Sequence, residues 1–376
     1  MLNWGTLRFL ANNTTGAFSD GAILFPLLIL LHLQLGMSGA ILFATAGIAY
    51  IFSGLFFRIP MAVQPLKSLV ISALALSASI TEIRISAALF GLFCLALVLF
   101  NISTILSKVS RPLIHGLQMG LGIILIYKGF GDLFHNNGFQ SPVLGMSLSV
   151  LIILVMHFSN KPIIGWVAVL GIVWALFNLP SGLLPRMLPS ETQSHIRSGV
   201  ILALILPQIA LTLANSVVAT QDVAGRYFKD QVSRVTTSNL LCSIGFGSLL
   251  AGLIGGLPFC HGAGGLTAHV KGGSTHYVSN IIIGSFLLLL SIFSMTGTPV
   301  FPAYPQFLTS LLLIVAGWFH LGLAQSSLTD SRYRRQLLSM AIMAILTQNM
   351  LSILAVGFLF EGGRALVRRK LERKTV

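Results

Sequence analysis

Residues 53–68 read Ser53-Gly54-Leu55-Phe56-Phe57-Arg58-Ile59-Pro60-Met61-Ala62-Val63-Gln64-Pro65-Leu66-Lys67-Ser68. Residues 251–267 read Ala251-Gly252-Leu253-Ile254-Gly255-Gly256-Leu257-Pro258-Phe259-Cys260-His261-Gly262-Ala263-Gly264-Gly265-Leu266-Thr267. Gly54, Leu55 and Pro60 recur as Gly252, Leu253 and Pro258 at an offset of 198, with Ile59 matched by Leu257. In both copies an apolar run ends, a proline follows and a short broken segment begins. Two prolines five apart keep the first break extended, and Pro65 is placed to open a half-helix. The glycines of the second break permit tight turns and leave backbone N–H groups uncovered.

Around these breaks the chain is almost uncharged. Of its 376 residues 55% are hydrophobic and 9% charged, and the mean hydropathy is +0.89. Soluble domains carry about 25% charged residues, so a soluble enzyme is excluded and a polytopic helical membrane protein remains. Spanning runs lie near 15–35, 38–57, 84–106, 112–130, 142–159 and 162–178, then near 199–221, 232–256, 276–297, 303–324, 335–347 and 349–367. The segments at 64–80 and 262–272 are short and read as half-helices. The last two spans are separated only by Gln348 and Asn349.

This makes fourteen segments, seven on each side of a polar stretch. An odd number per half turns the second half upside down, so the fold class is an all-α, seven-plus-seven inverted repeat. The first repeat covers 1–180, an extracytoplasmic linker 181–198, the second repeat 199–367 and a basic cytoplasmic tail 368–376. With the N-terminus in the cytoplasm, 18 of the 23 basic residues fall on the cytoplasmic side, as the positive-inside rule requires. Both termini are therefore expected in the cytoplasm, and the net charge of +14 marks topology rather than nucleic-acid binding.

Paired broken segments at matching positions are the sequence mark of a transporter site near the bilayer midplane. Two facing helix N-termini form a donor-rich pocket suited to an anion. The candidate substrate-binding residues are Gln64, Pro65, Lys67 and Ser68 at the first break, His261, Gly262, Ala263, Gly264 and Gly265 at the second, and Asn215 in the eighth span. Against these stand blander readings. Lys67 could snorkel to an interface, His261 could be a hydrogen-bonded structural histidine, and Asn215 could stitch helices together. Asp20 and Asp222 are candidates for proton coupling or for structural bonds, with Asp222 favouring a pair with Arg226. Phosphate-binding loops, metal-ligand spacings and catalytic constellations are missing from the sequence. No enzyme activity, cofactor or metal is expected.

At these residues the chain resembles the molybdate-transporter branch of the sulfate permease superfamily. Pro60-Met61-Ala62-Val63-Gln64-Pro65-Leu66-Lys67 is similar to that branch's P-M-P-V-Q-P-M-K signature, and Cys260-His261-Gly262-Ala263-Gly264-Gly265-Leu266 to its C-H-G-[SA]-G-G-L signature. Asn215-Ser216-Val217-Val218-Ala219-Thr220 is similar to the family segment of the eighth span, and Asp20 and Pro26 match the first span. The resemblance implies a core domain (12–106 and 199–298) moving against a gate domain (112–178 and 303–367). It implies a secondary active transporter of a tetrahedral oxyanion, molybdate first and sulfate second, in a bacterial inner membrane. A passive anion channel on the same scaffold stays open, as does a homodimer. A proton-coupled nucleobase carrier is disfavoured, because Asn215 and His261 stand where such carriers look to glutamates.

Overall fold

The computed structural model describes residues 4–100, 110–135, 142–158, 164–178, 196–295 and 303–372. Residues 179–195, most of the expected linker, and residues 373–376 of the expected tail lie outside these. The first half comprises α1 (Trp4–Ser19), α2 (Gly21–Leu33), α3 (Gly39–Phe57), β1 (Gln64–Pro65), α4 (Lys67–Ala75), α5 (Ile80–Leu99), α6 (Arg111–His135), α7 (Pro142–Phe158) and α8 (Ile164–Phe177). The second opens with α9 (Ser198–Leu211), a π-helical stretch (Thr212–Ala219) and α10 (Thr220–Phe228). It continues with α11 (Thr237–Ile254), β2 (Phe259–Cys260), α12 (Ala263–Lys271), α13 (Val278–Met295), α14 (Gln306–Thr329), α15 (Ser331–Thr347) and α16 (Met350–Glu372).

The two halves interlock. Helix α3 packs along α13, α5 along α11, and α6 along α14, so each major pairing joins one repeat to the other. Helices α3 and α11 are the repeat-related pair, and both end on a left-handed residue, Arg58 (φ 59°) and Gly255 (φ 75°). Each C-terminus receives an arginine from the opposite half. Arg234 Nη1 donates to the Phe56 carbonyl (2.9 Å), and Arg84 donates to the Gly252 (3.1 Å) and Leu253 (2.6 Å) carbonyls. Cations there satisfy the last carbonyls and oppose the negative end of the helix dipole.

Among the described residues seven helices are long and apolar enough to cross a membrane, or eight if α1 and α2 form one bent span. The fourteen-segment scheme thus depends on shorter elements as well. A nine-residue helix such as α4 or α12 is only about 13 Å long, against about 30 Å of hydrocarbon.

Several boundaries differ from the sequence reading, four of them with a clear local cause. The first span begins at Trp4 and breaks at Asp20 instead of running unbroken over 15–35, with a 45° bend between α1 and α2. The Asp20 carbonyl accepts from both Ile23 N–H (3.1 Å) and Leu24 N–H (3.3 Å) across that break. Pro65 does not open the half-helix. It lies in β1, pairing with Phe259 while Gln64 pairs with Cys260, and α4 starts at Lys67. Leu66 N–H is already committed to the Pro258 carbonyl (3.0 Å), so the chain stays extended until that bond is made. Helix α5 starts four residues early, at Ile80, because Ser79 and Glu82 form a capping box, a Ser-x-x-Glu signal. The ninth span starts late, at Thr237, where Thr236 accepts from Asn239 N–H (3.2 Å).

Two further ends are tied by charge. Glu82, itself buried, takes the guanidinium of Arg197 (Nε 2.8 Å, Nη2 2.8 Å) and the Arg197 N–H (2.9 Å), fixing the start of α9 to the start of α5. Asp330 caps α15 and pairs with Arg332 (2.8 Å), whose hydrogen bonds hold that carboxyl below the usual carboxylate range.

Candidate functional site

The β1–β2 pair brings the two breaks together, so α4 and α12 start from one two-stranded crossing. Asp20, at the break in the first helix, is buried beside it. Tyr50 Oη donates to Asp20 Oδ2 (2.5 Å), and Gln64 Nε2 donates to Asp20 Oδ1. His269 Nε2 lies 3.7 Å from Oδ2, with both side chains fully buried. A Cβ at Gly265 would fall 2.4 Å from Asp20 Oδ1 and 2.4 Å from Gln64 Nε2. Only glycine lets the first turn of α12 lie on that bond.

Gly262, the N-cap of α12, has no side chain to bond the first turn, and among the described residues no side chain is seen to accept from the Ala263, Gly264 or Gly265 N–H groups, which a helix start leaves unsatisfied. The Cβ position of Gly262 is 2.6 Å from Gln64 Oε1 and 3.6 Å from Asn215 Nδ2. Gln64 Oε1 is buried with no hydrogen-bond partner. Nothing lies within 4 Å of the Cβ position of Gly264, which leaves room beside the helix start. Asn215 sits in the π-helical stretch. One extra residue per turn there lets its carbonyl accept from Thr220 Oγ1 (2.9 Å), a hydroxyl that also reaches the His261 carbonyl (3.1 Å). Such π-bulges interrupt helices at functional positions.

The α4 side differs. Lys67 is its first residue and is 5% exposed, and Ser68 is fully buried. The Ser68 and Leu69 N–H groups both donate to Gln208 Oε1 (3.0 and 3.2 Å), while Gln208 Nε2 donates to Thr212 Oγ1 (2.9 Å). The expectation that α4 offers free N–H groups is thus corrected for Ser68, because a side chain of the opposite repeat caps it. His261 is arranged as the structural alternative describes. Its Nδ1 lies 2.8 Å from the Ala62 carbonyl, which can only accept, so Nδ1 carries the proton. Nε2 then accepts from Ser243 Oγ (2.9 Å), and Phe57 and Phe259 pack edge-on at 5.2 and 5.6 Å. Both nitrogens are spent on holding the break together. Asp222 lies apart and exposed, paired with Arg226 (2.7 Å) one helical turn on.

Tyr50, Gln208 and His269 were missed in the sequence. Gln208 follows Pro207 inside an otherwise apolar helix, and that isolated amide was the available signal. Tyr50 and His269 carried none, since each meets Asp20 only through the tertiary fold. Among the described residues no group of three or more His, Cys, Asp or Glu side chains is placed to hold a metal.

The match to known proteins follows the same two breaks. A family described as "Molybdate transporter of MFS superfamily" matches residues 12–125 and 200–319. The chain belongs to this molybdate transporter family. Molybdate transporter 2 of Arabidopsis thaliana is 25% identical over 366 residues, covering 82% of this chain and 77% of that protein. Among solved structures, the transmembrane domain of the cyanobacterial bicarbonate transporter BicA aligns with a TM-score of 0.62 at 16% identity, covering 94% of this chain and 98% of that one. The murine solute carrier 26 family member A9, an anion transporter in its inward-facing state, aligns with a TM-score of 0.64 at 14% identity, covering 96% of this chain and 69% of that one. The fold is therefore the inverted-repeat, core-and-gate fold of these transporters. The family member described here is an integral membrane protein and an anion transporter, not an enzyme.

Proposed function

We propose that this protein is a secondary active importer of a tetrahedral oxyanion, with molybdate as substrate and sulfate as its nearest competitor. The observation that carries the reading is the start of α12 at Gly262, whose Cβ position would lie 3.6 Å from the amide nitrogen of Asn215, on the same crossing that buries Lys67. Backbone donors, a side-chain amide and a buried ammonium suit a dianion. Gln64 orients the start of α12 from below, and the anion lies over Gly264, where the structure leaves space. In this reading the core (12–106 and 199–298) moves against the gate (112–178 and 303–367), carrying the site between the two faces. The basic residues on one side of the alternating spans support cytoplasmic termini in a bacterial plasma membrane. A homodimer of such subunits belongs to the same reading.

The test is calorimetric titration of the purified protein with molybdate, tungstate, sulfate and uracil. Molybdate and tungstate should bind most tightly, sulfate more weakly and uracil not at all. Lys67→Met should weaken molybdate about 10- to 100-fold, the worth of one charge-assisted hydrogen bond. Wild-type affinity in a monodisperse Lys67→Met protein would remove Lys67 from the site.

A further inference from the structure

Lys67 and His320 are both buried, and they belong to opposite sides of the proposed boundary between core and gate. Lys67, the first residue of α4, has no carboxylate within ion-pair distance among the described residues. His320 of α14 is 4% exposed, and among the described residues neither of its ring nitrogens has a hydrogen-bond partner. His115 of α6, on the same helix pair, spends its Nδ1 on Ser327 Oγ (2.6 Å). A buried imidazole without partners forfeits the hydrogen bonds it had in water, and such a group in a native fold points to something the site receives.

Packing brings the two groups toward one space. Helices α2 and α6 each pack against both α4 and α14, and the π-helical stretch that carries Asn215 packs on α6 as well. Across that space His320 lies within electrostatic reach of Lys67. The gate side is held firmly. A Cβ at Gly122 would fall 2.7 Å from the Gly317 carbonyl oxygen, and one at Gly317 would fall 2.6 Å from the Gly122 carbonyl oxygen, so α6 and α14 meet backbone to backbone. His320 follows Gly317 by about one helical turn. In either tautomer an imidazole carries an N–H, so His320 can donate to an anion that Lys67 holds from the other side.

We propose that His320 is the gate's contact to the transported anion. One ring N–H donates to an oxygen of the oxyanion, while Lys67, Asn215 and the start of α12 hold the other oxygens from the core. This rests on the oxyanion reading above and adds the residue by which the gate meets the substrate. The anion then bridges the two bodies. Its core contacts travel with it, and the His320 hydrogen bond is the one that breaks when the core moves against the gate. Because the ring has no protein partner to lose, a substitution that weakens anion binding should leave the fold as stable as before.

The experiment is calorimetric titration of the purified full chain with molybdate, beside thermal melting with and without molybdate. His320→Leu should weaken molybdate about 10- to 100-fold, the worth of a hydrogen bond to a charged group. Without molybdate it should melt within about 2 °C of the wild type, and the rise in melting point that molybdate gives the wild type should shrink. His320→Gln sets an amide N–H near the position of Nε2, and His320→Asn sets one near that of Nδ1. One of the two should recover most of the affinity and so name the donating nitrogen. Wild-type affinity in His320→Leu overturns the proposal, as does a lost affinity that neither amide recovers. If His320→Leu does not fold, His320→Met decides, since it fills the space flexibly without a donor. Wild-type affinity in that variant, or a failure of both to fold, overturns the proposal by making the ring structural. No molybdate binding by the wild type defeats the oxyanion reading as well, whereas wild-type binding that is indifferent to His320 defeats this proposal alone.

Discussion

The half-helices α4 and α12 occupy equivalent places in the two repeats, are nine residues long and leave from paired strands, yet their N-termini are treated differently. Gln208 closes the α4 end by accepting from Ser68 and Leu69. Among the described residues no side chain closes the α12 end in that way. The corresponding stretch of α1 does offer an amide, Asn13, but its Oδ1 accepts from Thr275 (3.2 Å) and His276 (3.1 Å), beyond the far end of α12. Helix termini leave their first N–H groups unsatisfied, and a protein that fills one such site while leaving its twin open has divided the labour. Inverted symmetry supplies two candidate anion sites. Side chains outside the repeat motif select one.

That comparison can be broken most forcefully at Gly265. Gly265→Val would drive side-chain carbons into Asp20 and Gln64, whose atoms lie 2.4 Å from the Cβ position. Overpacking of about 1–3 kcal/mol should cut molybdate affinity by roughly 100-fold in calorimetry. Gly264→Ala, with nothing within 4 Å, should leave the fold intact by thermal melting. A smaller effect is expected on the capped side. Gln208→Leu orphans two buried N–H groups and should cost about 1–3 kcal/mol of stability, read as a melting point lowered by a few degrees. Its molybdate affinity should stay within about threefold of wild type. A collapse of affinity with an unchanged melting point would return the α4 backbone N–H groups to the site beside Lys67. The smallest effect belongs to Asp222→Ala, which removes an exposed pair with Arg226 and should change stability by less than about 1 kcal/mol.

Much of the architecture was legible because it is written in long-range composition. Apolar runs of spanning length and the recurrence of Gly54, Leu55 and Pro60 as Gly252, Leu253 and Pro258 need no knowledge of packing. The break between α15 and α16 was legible too, since Gln348 adopts φ 48° and the Asn349 side chain accepts from Leu351 N–H (2.8 Å). The bend at Asp20 was not. Its sequence, Ser19-Asp20-Gly21 inside an apolar run, reads as a tolerated polar interruption, and only Tyr50, Gln64 and His269, thirty or more positions away, show why the acid is there. Pro65 was misread for a similar reason. As a local signal proline favours the first turn of a helix, but pairing with Phe259 from the other repeat overrode it.

The sequence by itself determined that this chain lives in a membrane, that its halves are inverted copies, and that each half carries a matching break. Those properties follow from hydropathy, an odd count of spans and the fixed chemistry of proline and glycine. Tertiary structure decided which groups at those breaks are free. His261 was open to a binding or a structural reading and bonds Ala62 and Ser243, whereas among the described residues Gln64 Oε1 has no partner and no side chain caps the start of α12. A hydrogen bond takes its partner from whatever the fold brings within about 3 Å, and residues scattered over the chain meet here. The residue types at a site can be read from order, but their commitments can be read only from contact.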